Sequence, residues 1–347
     1  MNNISDPRFP AEWEPQSAVL LTWPHSGTDW EPNLAAVTKT YLEIAKQILK
    51  HENLIISCED ASQLKAIEQA LLTHVTKPFT LKLYQVPAND TWARDHGPVG
   101  IYRNHKLELI DYQFNAWGGK FAFEKDNLIS KCLYDLGGLT CNKFIQSELI
   151  LEGGSIETNG KGTLLTTREC LLSTTRNKNC SESEVENQLR TDLGINHFLW
   201  LSHGYLKGDD TDSHIDTLAR FCDENTICYT QCTNPDDEHY GALKNMESEL
   251  KAFRSIEGTP YRLIPLPLPS PCFFDGERLP ATYANFLIIN NAVLFPVYDI
   301  FEDRLALEKI KKCFPDHETI PINCNELIKQ HGSLHCITMQ IPKPDEN

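Results

Sequence analysis

Short strand-like runs alternate with amphipathic helical stretches along the whole of this chain, and that alternation restricts the fold to the α/β class. The runs 18–23, 54–57, 80–86, 198–201, 227–230 and 261–265 are rich in β-branched or aromatic residues and bounded by polar or proline-containing turns. Val37, Tyr41, Ile44, Ala45 and Ile48 recur at helical spacing and predict a helix over 35–50. A second helix is predicted over 61–73 with Asp60 as its N-cap. Ser181 and Glu184 have the form of a capping box, and Gly194 is placed to stop the helix they start. Stretches 238–256 and 302–313 complete the helical set. The proline-rich run from Pro265 to Pro271 is the best candidate boundary. Strand-like sequence resumes within about a dozen residues, a connection length found inside compact domains. The run therefore reads as a rigid surface loop within a single catalytic domain, 1–347.

Several function classes are set aside at once. No stretch approaches the roughly 18 apolar residues of a membrane span. Met1 to Pro10 carries neither the basic segment nor the apolar run of a signal peptide, so a cytoplasmic protein is expected. The twelve cysteines are scattered without a CxxC pair, which points to reduced thiols rather than a zinc ribbon or a disulfide framework. A net charge of −16 repels nucleic acid and anionic lipid and concentrates small cations.

Four segments mix glycine with charged or nucleophilic side chains in apolar surroundings: Asn89 to Pro98, Leu151 to Ser155, Gly208 to Asp216, and His331 to Thr338. Taken singly, each has a plainer explanation. Asp-Gly and Glu-Gly-Gly make turns, a buried cysteine packs a core, and Asp209, Asp210 and Asp212 resemble an oxygen-rich cation loop, although not one with EF-hand spacing. One chemistry would use all four together. A guanidinium is a planar cation with forked donors, which carboxylates accept bidentately. Its carbon is resonance-stabilised, so a thiolate suits the attack. A histidine kept basic by a carboxylate can protonate departing ammonia and then activate water. The segments supply these types as Cys336, His214, Glu152, Asp95 and Asp216.

These segments resemble those of the agmatine deiminases, of the bacterial-type peptidylarginine deiminase family in the guanidine-modifying superfamily. The similarity begins at Pro10-Ala-Glu-Trp-Glu-Pro-Gln-Ser-Ala18 and Thr22-Trp-Pro24. It continues through Phe114-Asn-Ala-Trp-Gly-Gly119, Gly162-Thr-Leu-Leu-Thr-Thr167 and Phe314-Pro-Asp-His317 to His335-Cys-Ile-Thr338. The resemblance implies a five-bladed, pseudo-symmetric α/β propeller of ββαβ units. It also implies hydrolysis of agmatine to N-carbamoylputrescine and ammonia through an S-alkylamidinium on Cys336, with no cofactor and no metal. Its role assignments are His214 as general acid and base, Glu152 as the carboxylate working with it, and Asp95 and Asp216 as the guanidinium grip. Trp92 is a candidate to stack on the substrate, and Asp210 to meet its far amine. The partner is thus a small cationic guanidine, with no nucleic acid or membrane, and a homo-oligomer is compatible with the sequence.

Two departures from the family pattern flank the site. Ser213 stands where glycine commonly precedes the histidine, and Gly332-Ser-Leu-His335 lacks the usual extra glycine and asparagine. Deimination of peptidyl-arginine or of free arginine is the alternative within the superfamily. A non-catalytic polyamine binder is the alternative outside it, but simple cation binding has no use for a thiol.

Overall fold

The computed structural model describes residues 7–178 and 180–344. Among them, five sheets of three or four strands succeed one another along the chain, beside a separate two-stranded hairpin at Phe273–Phe274 and Glu277–Arg278. The first sheet holds Gln16–Thr22, Asn53–Cys58 and Leu81–Gln85, the second Val99–Arg103, Lys106–Gln113 and Lys143–Ile150. The third holds Ile156–Thr158, Thr163–Thr167 and His197–Leu201, the fourth Ala219–Asp223, Thr226–Gln231 and Arg262–Pro267. The fifth holds Leu287–Ile289, Ala292–Val297 and Glu318–Asn323. Sheets two to five each pair two strands antiparallel and then add a parallel one. A parallel neighbour cannot be reached by a tight turn, so a helical crossover carries the chain back each time. The first sheet completes the same pattern with the last strand, Thr338–Pro342, antiparallel to Gln16–Thr22. The two ends of the chain are thereby sewn together.

Most of the predicted elements lie where the pattern put them. Helix Leu34–Ile48 buries Val37, Tyr41, Ile44, Ala45 and Ile48. The Asp60 carboxylate accepts from the Gln63 amide, the Ser181–Glu184 capping box is complete, and Gly194 ends its helix at φ 71°. A Cβ there would sit 1.7 Å from the Pro7 carbonyl oxygen, so only glycine fits. Two readings change. The proline-rich loop begins later than expected, because Pro265 and Pro267 lie within Arg262–Pro267. That strand is a sheet edge, where a missing N–H costs no ladder bond. Lys106–Gln113 gave no strand signal because Glu108 and Asp111 are buried in it and break the apolar pattern. No helix among the described residues is long and apolar enough to cross a membrane.

A chain of buried charges ties the sheets together. Arg220, with no exposed surface, donates through Nε to Glu157 at 2.7 Å, through Nη2 to Glu12 at 2.9 Å and through Nη1 to the Phe286 carbonyl at 2.7 Å. Replacing Arg220 with methionine leaves two carboxylates buried without their cation. The expected loss is about 3–5 kcal/mol of unfolding free energy in urea titration; a change within about 1 kcal/mol would show that the network does not support the fold.

Candidate active site

All of the predicted site residues come from junctions between successive sheets. Asp95 sits in the turn Ala93–His96 between the first and second, and Glu152 precedes the turn Gly153–Ser155 between the second and third. His214 and Asp216 belong to the turn joining the third to the fourth. His335 and Cys336 precede the last strand, which returns to the first sheet. The fourth-to-fifth junction adds Asn285, which the sequence reading did not single out. Gly154 lies where these junctions meet. A Cβ there would fall 2.6 Å from His214 Nδ1, 2.9 Å from an Asp95 oxygen and 3.3 Å from an Asp216 oxygen. Three charged side chains thus converge on one bare stretch of backbone.

Cys336 is 6% exposed and opens onto a cavity of about 150 Å³. Four carboxylates line this cavity, from Asp29, Asp90, Asp95 and Asp210, together with the rings of Trp92, Trp117 and Phe121. No lysine or arginine lines it. The Cys336 thiol is 3.4 Å from the Asn285 side-chain oxygen. Burial, then Asp216 and Asp95, push this thiol well above its ordinary pKa, so the free protein holds it protonated.

The carboxylates differ in how they are held. Asp95 accepts from Trp117 Nε1 and the Gly154 amide, each at 3.0 Å, and burial pushes it up to about 6 against the pull of His214. Asp216 places one oxygen 2.7 Å from His335 Nδ1 and keeps the other buried and unpartnered. Burial opposes its charge, but His335, His214 and Arg220 hold it below the usual carboxylate range. Such a free, charged oxygen is an acceptor waiting for a donor. Burial also opposes charge on His214, yet Asp95, at 3.6 Å from Nδ1, with Glu152 and Asp216, keeps it above its ordinary value.

Glu152 is fully buried, and its immediate partner differs from the sequence expectation. Its Oε1 accepts from Arg176 Nε at 2.9 Å, and no hydrogen bond joins it to His214 among the described residues. Arg176 in turn donates to the Thr211 carbonyl and pairs with Asp212, bracing the loop that carries His214. That loop is strained: Asp212 and Ser213 both have φ of 65°, a left-handed conformation that favours glycine. Asp209 holds it by accepting from the Ser213 amide at 2.8 Å. With Asp209 turned inward and Asp212 paired to Arg176 and Lys120, this acidic loop is a scaffold for His214 rather than a cation loop. The described residues offer one cluster of metal-ligating type, Glu152, Cys170 and His214, all buried.

Trp92 forms a wall of the cavity. Its Nε1 donates to Asp90 at 2.9 Å, and the backbone at Gly332 lies so close to its ring that a Cβ would come within 2.1 Å. Trp117, beside it, has a left-handed φ of 54°, a strained backbone that aims its indole at Asp95. Asp210 lines the cavity beside Thr211.

Sequence reasoning missed several participants. His335 and Glu12 stood inside quoted motifs and could have been found as charged residues in apolar runs. Arg176, Arg220 and Asn285 carried no local signal, because their partners are distant in sequence. Burial and the nearby Arg220 and Arg94 pull against charge on His335. However, its two nitrogens each lie 2.7 Å from a carboxylate oxygen, of Asp216 and of Glu12, and both contacts need a proton. Glu12 is held far below its ordinary range and Asp216 is lowered too, so we assign both protons to the ring.

The chain is similar to known proteins over almost its whole length. Residues 8–342 match the Porphyromonas-type peptidyl-arginine deiminase family. A candidate agmatine deiminase of Vibrio parahaemolyticus is 33% identical, the match covering 96% of each chain. The structure of a candidate arginine deiminase from Porphyromonas gingivalis is 46% identical with a TM-score of 0.89, covering 97% of this chain and 99% of that one. A cysteine-to-serine variant of the C. jejuni agmatine deiminase with substrate bound is 34% identical, also with a TM-score of 0.89 and 97% coverage of both chains. The chain therefore belongs to the Porphyromonas-type peptidyl-arginine deiminase family, and with it to the hydrolases of the guanidine-modifying superfamily.

Proposed function

We propose that this enzyme deiminates agmatine, with Cys336 as nucleophile. The observation that carries the substrate is the cavity lining: four carboxylates, three aromatic rings and, among the described residues, no lysine or arginine facing Cys336. Agmatine is a dication without a carboxylate, so it gains from every charged group present. The α-carboxylate of free arginine would meet only repulsion. A single catalytic unit of five blades, one per sheet, accounts for site residues arriving from every junction.

The chemistry follows from the charges. The guanidinium forks engage Asp95 and the free oxygen of Asp216. A cation beside Cys336 offsets the two carboxylates that hold its proton, so the thiol ionises on binding and releases that proton to solvent, from which the departing ammonia later takes one up. The thiolate attacks the guanidinium carbon, and His214 protonates the nitrogen that leaves as ammonia. Water, deprotonated by the now neutral His214, attacks the S-alkylamidinium and expels the thiolate. Guanidinium and water have become a ureido group and ammonium. The C. jejuni relative holds its substrate as a cysteine-to-serine variant, which supports a cysteine in this role. The 46% identical P. gingivalis neighbour favours arginine as the second reading.

Agmatine, arginine and an arginyl peptide, assayed for ammonia and ureido product, separate these readings. Agmatine turnover is expected to exceed the others, to fall on the order of a thousandfold or more in Cys336→Ala, and to persist in Cys170→Ala. Turnover of an arginyl substrate alone would keep the chemistry and overturn the substrate.

A second outcome concerns pH. Protonated Asp95 loses a guanidinium acceptor, so kcat/KM should fall as pH drops through about 6, the value to which burial raises this group. Well below that point the loss is roughly tenfold per pH unit. Bound guanidinium stabilises the carboxylate, so the corresponding limb in kcat should lie at lower pH. A kcat/KM flat between pH 8 and 5 would contradict this role for Asp95.

A further inference from the structure

Cys170 has no part in the proposed reaction, yet it is placed against Glu152 and near His214, the proposed general acid and base. It lies on the helix Arg168–Leu171, fully buried, with its Sγ 3.8 Å from Glu152 Oε2. One ligand atom from each of Glu152, Cys170 and His214 lies within 4.8 Å of the others. Two tetrahedral ligands of zinc, at about 2.3 Å for sulfur and 2.0–2.2 Å for oxygen, are about 3.6 Å apart. The observed sulfur–oxygen separation is therefore within a few tenths of an ångström of a zinc ligand pair.

Two further observations point to a ligand. His214 Nε2 is buried with no hydrogen-bond partner, although His214 is only 1% exposed. Such an orphan is costly unless something binds it. Glu152 is also divided in its use, since Oε1 is taken by Arg176 while Oε2 accepts only the weak thiol hydrogen bond of Cys170, whose proton a metal ion would replace. One neutral imidazole, one carboxylate oxygen and one thiol are a zinc donor set, too soft for calcium or magnesium. Arg176 neutralises part of the Glu152 charge, and that opposes a cation. Metal binding would make up for it by releasing the Cys170 proton, so that the thiol becomes a second anionic ligand, together with the proton of His214 wherever the ring is charged, because Asp95, Glu152 and Asp216 favour its imidazolium. Asp95, which lines the acidic cavity, lies 3.6 Å from His214, so the cluster adjoins a surface that attracts cations.

We infer that Glu152, Cys170 and His214 form a site for a thiophilic divalent cation, zinc above all, whose occupancy stops the reaction by tying up His214 and Glu152. The inhibitory half rests on the agmatine deiminase reading; the binding half does not. Cobalt(II), which gives a near-ultraviolet thiolate charge-transfer band, is titrated into the intact protein, into Cys170→Ser and into Cys336→Ser. The expected result is one equivalent bound with the band present in wild type and Cys336→Ser and absent in Cys170→Ser. In parallel, the Zn²⁺ concentration that halves agmatine turnover should rise at least tenfold in Cys170→Ser and Cys170→Ala. A band lost in Cys336→Ser but kept in Cys170→Ser would put the metal on the nucleophile and overturn the site, as would the absence of binding. Should both Cys170 variants misfold by circular dichroism, X-ray absorption of zinc-loaded Cys336→Ser decides. One sulfur at about 2.3 Å supports the site, and a shell of nitrogen and oxygen alone removes it. Binding without any deiminase turnover would uphold the metal site and sink only the proposed function.

Discussion

The buried ionic chain running from Glu157 through Arg220, Glu12 and His335 to Asp216 is the interaction on which the rest of this structure depends. No member could be buried alone, because an unpaired charge in the interior costs several kcal/mol. Each member belongs to a different part of the chain. Glu12 precedes the first strand, Glu157 lies in the third sheet, Arg220 in the fourth, and His335 at the last junction. The need to satisfy one set of charges therefore fixes the relative placement of distant segments. Glu12 also accepts from the Ile288 amide at 2.7 Å, which brings the fifth sheet into the same network. This chain of charges ends in the candidate site: Asp216 is oriented by one oxygen so that the other remains free.

Placement at the junctions explains how one pocket can draw on so many segments. A strand end or turn is free to take an unusual backbone conformation that the strand interior cannot. The site uses this freedom repeatedly, at Ala116 and Trp117, at Asp212 and Ser213, and at His331, all with positive φ and none of them glycine. The strain is held by specific bonds. Asp209 holds Ser213, Thr167 donates to the Ser213 carbonyl, and His331 places its Nδ1 2.8 Å from the Gly208 carbonyl. Where no side chain can be tolerated the chain has glycine, as at Gly154 between the charged groups and at Gly332 against Trp92.

The sequence was informative wherever the signal was local. Amphipathic spacing in Leu34–Ile48, the Ser181 capping box and the Gly194 stop are each decided within a few residues, and each stands in the fold. The four glycine-flanked segments were visible for the same reason, since a turn carrying a reactive side chain has a short signature. What escaped was the pairing. That Glu152 answers to Arg176, that Asp216 answers to His335, and that Asn285 lies beside Cys336 are long-range facts with no periodicity. Strands such as Lys106–Gln113 escaped because buried Glu108 and Asp111 mimic the polarity of a loop. The repeat of hairpin and parallel strand is plain in the topology and absent from the residues. Each unit meets different neighbours, so packing asks for geometry and not for particular side chains.

The acidic cavity sets two demands against each other. In the proposed reaction Asp95 and Asp216 orient a cation, but the same two carboxylates, with burial, keep Cys336 protonated in the free protein. Only a ligand that brings positive charge to the thiol removes that block. A neutral electrophile of the same shape leaves Asp95 and Asp216 unopposed and meets a thiol. On the proposed reading recognition and activation are therefore one event, and selectivity rests on the charge of the substrate as much as on its fit.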